Sequence, residues 1–220
     1  MAETATPQPP SRPLPHVKAT RDDWLAAATD LLVEEGVERV KVLALSDRLS
    51  VSRSSFYWYF RNRDDLLDQL IAAWRAKNTG AIVAQCERPS ATITEGVCNL
   101  FRCFVNRDLF DHRLDFAVRE WARRSPPLRA VLERSDTDRV AAIAALFERH
   151  GTPAGEAVIR ARIVYYMQIG YYALDYVEPL EARLAAVPGY LLGFTGQEPV
   201  PGEVAALADY ARRHARGESA

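Results

Sequence analysis

Apolar residues in this chain recur every third or fourth position in long runs, and proline and glycine punctuate the runs. Strands require strict alternation over roughly four to eight residues, and no stretch supplies it, since Val and Ile are scattered at helical spacing. This pattern predicts an all-α protein. Trp24, Leu25, Ala28, Leu31 and Leu32 form the first helical face, which ends at Gly36. Short helices are expected at 42–49 and 53–60, and a longer one at 64–77, with Asn62 as its cap. Further helices are expected at 93–106, 109–124, 128–150, 154–177, 180–187 or slightly beyond, and 203–216. The breaks are Arg88-Pro89-Ser90, Ser125-Pro126-Pro127, Gly151-Thr152-Pro153 and Glu178-Pro179. Residues 1–18 are rich in Pro, Ser and Thr and poor in large apolar side chains, so a mobile tail is expected there.

Composition narrows the function classes. The chain has 220 residues and a formal net charge of -1, so a nucleic-acid surface has to come from the local placement of Lys and Arg rather than from their excess. No basic-then-apolar leader opens the sequence, and no apolar run reaches the roughly 18 residues of a membrane span; a cytoplasmic protein is expected. Cys86, Cys98 and Cys103 are an odd set without a CxxC pair, which favours packed thiols over a disulfide framework or a metal knuckle. No cofactor is expected.

The segment 42–63, VLALSDRLSVSRSSFYWYFRNR, carries the most specific information. Two short helices can cross steeply when small or polar residues fill the turn and an apolar residue plugs the angle. Ser50-Val51-Ser52 meets that requirement, with Val51 as the plug and Ser52 placed to accept from the first free amides of the next helix. Phe56 and Phe60 then face Leu45 and Leu49, which turns Arg53, Ser54, Ser55, Tyr57 and Tyr59 outward as a hydrogen-bonding surface suited to a major groove. Between positions 39 and 63 stand six basic residues, Arg39, Lys41, Arg48, Arg53, Arg61 and Arg63, against one acid, Asp47. A solvated helical hairpin with incidental charge shares the charge balance but not the turn chemistry.

Residues 20–75 resemble the DNA-binding domain of the TetR family of regulators. The resemblance rests on Gly36 and on Val51-Ser52-Arg53-Ser54-Ser55-Phe56-Tyr57-Trp58-Tyr59-Phe60, which fits the family pattern V-S-x-x-[ST]-[FL]-Y-x-[HY]-F, followed by the basic link Arg61-Asn62-Arg63. It implies a helix-turn-helix at 19–63, a connecting helix at 64–88, and a helical domain for effector binding and dimerisation at 89–220. The implied DNA contacts are Lys41, Ser52, Arg53, Ser54, Ser55, Tyr57, Trp58, Tyr59 and Arg63. Arg53 and Ser55 would reach base edges, Tyr57 and Tyr59 a phosphate or thymine methyl, and Arg63 would clamp the backbone. Two departures stand out: Leu49-Ser50 replaces a common Ala-Gly, and Lys41 replaces a capping Thr, which a lysine cannot imitate. The resemblance further implies a homodimer on a palindromic operator of double-stranded DNA, released by a small-molecule effector.

Two stretches, at 157–176 and 180–192, are the most apolar in the chain and are the candidate dimer helices, although a buried helix of a monomer would look the same. Val158, Ile159, Ala161, Arg162, Ile169 and Ala173 are the residues expected at that interface. Aromatics in the same half offer an apolar effector pocket, with Phe104, Phe116, Trp121, Tyr165 and Tyr172 as candidate contacts. Against an enzyme, the sequence has no HExxH, GxSxG, GxGxxG or P-loop motif, and its four histidines are scattered. Arg119-Glu120 and Asp111-His112-Arg113 look like surface charge. A helical enzyme and a ligand-independent DNA-binding protein are the competing readings, the latter leaving about 130 residues without a task.

Overall fold

The computed structural model describes residues 19–214, all of whose regular elements are helical. The expected tail at 1–18 and the end of the last expected helix, 215–216, lie outside the described residues. Helix α1 (Arg21–Glu35) opens on a capping box: Thr20 Oγ1 accepts from the Asp23 amide while the Asp23 carboxylate accepts from the Thr20 amide. Gly36 ends it with φ 84°, a conformation that L side chains rarely adopt. A single 3₁₀ turn then leads to α2 (Val42–Leu49) and α3 (Arg53–Phe56).

Helix α4 (Arg63–Trp74) does not stop near Lys77 as its apolar spacing suggests. It runs through a π-helical turn at Arg75–Thr79 directly into α5 (Gly80–Glu87). Gly80 keeps helical dihedrals there, so this glycine is a step in a continuous rod rather than a stop. The remaining helices are α6 (Ile93–Val105), α7 (His112–Ala122), α8 (Pro126–Arg149), α9 (Ala154–Ala173), α10 (Leu180–Thr195) and α11 (Pro201–His214). The spacing predicts an end to α10 at Val187 or slightly beyond; the helix continues through Pro188 to Thr195, because Leu191 and Phe194 are buried. Burying two large apolar side chains offsets the roughly 3 kcal/mol that an interior proline costs.

Two apolar cores result. One gathers Trp24, Leu31, Leu32, Leu45, Phe56, Phe60, Leu66, Leu70 and Trp74 and is completed by Leu114, Val118 and Ala122 of α7 and Leu128 and Leu132 of α8. The other joins α5, α6, α8, α9, α10 and α11. At its centre Gly96 brings α6 onto α8 so closely that a Cβ there would lie 2.6 Å from Leu146 Cδ1. Because α7 completes the first core and α8 contributes to both, the amino-terminal helices rest on the body through packed side chains rather than through a linker alone.

Candidate nucleic-acid interface

The turn between α2 and α3 is built by Ser50, which adopts the left-handed conformation at φ 54° and ψ 40°. The amide of Val51 then donates to the Ser46 carbonyl at 3.0 Å, closing the end of α2. Val51 is half-buried against the first core, as a plug should be. Below it Phe56 meets Trp24 edge-on at 5.3 Å and Phe60 at 5.1 Å, and these rings fix which side of α3 faces out. Regular α-helix lasts only one turn here; Tyr57 to Tyr59 continue as a tighter turn before the amide of Phe60 returns to the Phe56 carbonyl.

The outward surface carries Arg53 and Ser54, with Tyr57 61% and Trp58 66% exposed. Tyr59 is half-buried against Phe60, so only its outer edge is on the surface. Ser52 does not cap α3 as the sequence suggested. Its hydroxyl instead pairs with Ser54 Oγ at 2.9 Å, and no amide reaches it. Ser55 Oγ donates to the Ser52 carbonyl at 2.7 Å and stabilises the first turn from the other direction. Lys41 is exposed at the start of α2 and makes no side-chain cap, in accord with its chemistry.

The six-to-one charge balance changes once neighbouring helices are in place. Arg48 is held in a two-bond pair by Glu34, at 2.8 and 3.0 Å, and the hydrogen bonds from Arg48 draw the Glu34 carboxyl below its ordinary range. Arg39 pairs with Glu35 at 2.8 Å and Arg61 with Asp65 at 3.4 Å. Arg63 sends Nε to the Val40 carbonyl and Nη2 to the Val37 carbonyl, both at 2.6 Å, so its guanidinium ties α4 to the segment before α2. Among the described residues Lys41 and Arg53 are the cations of this set that neither pair with a carboxylate nor donate to a carbonyl. A count over 39–63 missed this because the compensating acids, Glu34, Glu35 and Asp65, lie outside that window or on another helix.

The body holds a second polar constellation that the sequence reading passed over. Asp115 and Arg139 are both fully buried, with Arg139 Nη2 2.9 Å from Asp115 Oδ1. Trp74 Nε1 donates to the same oxygen at 3.0 Å, and Arg119 Nε donates to the other at 2.9 Å. Arg119 also grips Asp136 through two nitrogens, and the Tyr165 hydroxyl donates to Asp136 at 2.6 Å. Burial alone would raise the Asp115 pKa, but Arg139 and Arg119 outweigh it and hold the carboxyl below its ordinary value. Arg119 is thus a half-buried member of this network rather than free surface charge. A signal existed: Asp115 shares the apolar register of Leu114, Val118 and Ala122, and Arg139 that of Leu128, Leu132, Ile143 and Phe147. Asp111 and His112 are likewise engaged, the first capping α7 through the Leu114 amide and the second stacked on Tyr172 at 4.7 Å.

The five candidate effector residues do not share one cavity. Phe104 and Tyr172 flank a recess near the end of α9. Phe116 and Trp121 line a different cleft, between α7 and the end of α1. Tyr165 is committed to the buried ion network. The five cluster in one half of the sequence, but helices meeting at different angles open on different spaces.

Residues 25–70 match the sequence family described as bacterial regulatory proteins, tetR family. That match takes in most of α1, all of α2 and α3, and most of α4. The class A tetracycline repressor protein of transposon 1721 from Escherichia coli is 44% identical over 54 residues, 24% of this chain and 25% of that protein. The chain therefore matches about a quarter of the length of its curated relatives. A TetR-family transcriptional regulator from Marinobacter aquaeolei superposes over 89% of this chain and 98% of its own, with TM-score 0.61 and 15% identity. Mycobacterium smegmatis AmtR does so over 92% and 97%, with TM-score 0.59 and 21% identity. At those identities the likeness is one of fold, and it extends from the matched amino-terminal segment through the helical body.

Proposed function

We propose that this chain is a homodimeric, cytoplasmic transcription regulator that binds a palindromic operator and is released from it by a small molecule, acting as a repressor. The observation that carries the reading is the outward face of α2 and α3, where Lys41 and Arg53 keep their charge available beside Ser54, Tyr57 and Trp58. That surface combines phosphate-binding cations with side chains short enough to approach base edges. Lys41, Ser52, Tyr57, Trp58 and Tyr59 serve the backbone and thymine methyls; Arg53, Ser54 and Ser55 face the base edges; Arg63 holds the domain in shape rather than clamping phosphate.

One recognition helix reads few base pairs, and a two-fold partner supplies the second half-site. The outer side of α9 supports such a pairing: Ile159, Ile163 and Tyr166 stand at i, i+4 and i+7, each more than half exposed. The seam differs from the expected residue set. Ala161 is buried in the chain's own core, and Val158 and Ile169 pack against that core, leaving Ile159, Arg162 and Ala173 outward. Alongside, α10 presents Ala182, Ala186, Gly189 and Gly193, small enough for a second helix to approach closely. No described helix is long and apolar enough to cross a membrane.

The deciding experiment is footprinting on the DNA upstream of the protein's own gene, followed by mobility-shift titration. Arg53→Ala should weaken operator binding by about 1–3 kcal/mol and relax preference at one position of each half-site. Ile163→Asp should convert dimer to monomer in light scattering and abolish operator binding with the DNA-binding face intact. An Arg53→Ala protein that binds operator as tightly as the parent would sink the assignment of α3.

A further inference from the structure

We infer that the cleft between α6, α9 and α10 binds a small apolar molecule with one anionic head, which Arg183 takes at the mouth while Gln168 contacts it from the inner wall. The regulatory meaning of the site rests on the function proposed above; the binding itself does not. Phe101, Phe104, Met167, Leu184 and Val187 wall a narrow cleft of about 70 Å³ that opens to solvent on one side. An apolar lining with a few polar groups suits a small-molecule site, and a ten-carbon ligand has to widen this cleft as it enters.

Two polar groups in this lining lack the partners that their burial calls for. Gln168 is 7% exposed and lines the cleft, and its buried Nε2 makes no well-formed hydrogen bond, the Tyr172 hydroxyl beside it offering only a loose one. Buried amide donors are almost always paired, so an unpaired one on a cleft wall awaits an acceptor. Arg183 is half-buried, lies over the Tyr171 ring at 5.3 Å, and has no carboxylate within 4 Å among the described residues. A guanidinium offers five N–H donors and prefers a carboxylate-like acceptor.

Charge of the other sign is also present. Glu178 lines the same mouth, and Asp175 borders the adjoining recess, which Arg107 and His112 also border. Glu178 already accepts from the Tyr171 hydroxyl at 3.3 Å, and Arg107 lies 3.7 Å from Asp111, so Arg183 is the charged group at the mouth still open to a ligand. The cleft also has a mechanical link to the head. Met167 and Gln168 lie within one turn of Tyr165, whose hydroxyl accepts from Arg139 and Arg119 in the network that holds Trp74 of α4. A ligand that shifts α9 would act on the rod carrying the DNA-binding domain.

Isothermal titration calorimetry of the full chain with decanoate, decan-1-ol and decylamine separates the possibilities, because the three share an apolar body and differ in head charge. Decanoate should bind tightest and decylamine weakest. Arg183→Met should weaken decanoate by about tenfold while leaving decan-1-ol within about twofold. Met167→Trp, which fills the cleft, should remove binding of all three, and Gln168→Leu should weaken decanoate several-fold; both variants are first matched to the parent by thermal melt. Equal affinity for acid and alcohol, tightest binding of the amine, or unchanged decanoate affinity in a folded Met167→Trp protein would each overturn the proposal. Operator release by decanoate is measured separately: tight binding without release keeps the site and removes only its regulatory meaning.

Discussion

The two cores of this chain treat charge in opposite ways. Around the amino-terminal core, Arg39, Arg48 and Arg61 lie on the surface and pair with carboxylates there, while the interior is made of Trp24, Phe56, Phe60 and leucines. At the junction with the body, an aspartate and an arginine are fully buried and bonded to each other, to Trp74 and to Arg119. A surface pair gains little, because water screens it and the side chains lose freedom. A buried pair is costly to assemble but far more costly to break, since either partner left alone is an uncompensated charge in an apolar medium. The head should therefore tolerate losing its ion pairs, and the junction should not. The asymmetry suits the proposed function, in which the outer face of the head stays available to DNA and the junction holds one geometry.

The largest effect expected from this contrast is at Asp115. Asp115→Asn leaves the buried Arg139 with only the more distant Asp136 carboxylate, 3.6 Å away, and should destabilise the protein by about 3–5 kcal/mol in urea unfolding. Replacing the pair together, Asp115→Leu with Arg139→Met, should recover most of that loss, which would show the pair to be a specificity device rather than a source of stability. The single change costing no more than loss of the surface pair in Arg48→Ala would break the comparison.

Arg63 tests the same contrast from the head. Its two hydrogen bonds to the Val37 and Val40 carbonyls are charge-assisted and partly shielded. Arg63→Ala should cost about 1.5–3 kcal/mol of stability. Arg53→Ala should leave the urea midpoint within about 0.5 kcal/mol of the parent and appear only in DNA binding. The two arginines, ten residues apart, would thus separate into a positioning role and a contact role. Next in size is Ser50, held in the left-handed region at φ 54°. Ser50→Gly relieves that strain and should stabilise the domain by up to about 1 kcal/mol in the same assay.

The smallest effect is a pH dependence. Asp65 accepts from the Arg61 amide first and from Gln69 second, and its pKa falls to about 2. A carboxylate depressed in the folded state contributes stability that is full above its ordinary value of 3.8 and is lost as pH falls toward 2. The Tm difference between the parent and Asp65→Asn should therefore be constant from about pH 7 to 5 and close between about pH 4 and 2. A gap that instead opened on acidification would reverse the sign and remove the hydrogen-bond explanation.

Much of the fold was legible in the sequence because its signals are local. The helical spacing, Gly36, Asn62 and the Ser50-Val51-Ser52 turn all act within one or two turns of the chain, and the structure places each where its chemistry suggests. Local signals failed where distant packing outweighed them: α4 ran on through a π turn into α5, α10 passed through Pro188, and the Ser52 hydroxyl turned to Ser54. The helix period told which residues of α9 share a face, but not which face turns inward, so Ala161 and Ile163 could be assigned only once α8 lay alongside.

By itself, then, the sequence determined an all-α chain with a TetR-like helix-turn-helix and an outward Arg53, because backbone dihedrals and apolar periodicity act over a few residues. Tertiary structure alone decided which charges remain available, that Asp115 and Arg139 meet in the interior, and that Arg183 and Gln168 border one cleft. Each of those depends on residues tens of positions apart being brought within a few ångströms, and electrostatics and desolvation are set by that distance and by how much water remains between them.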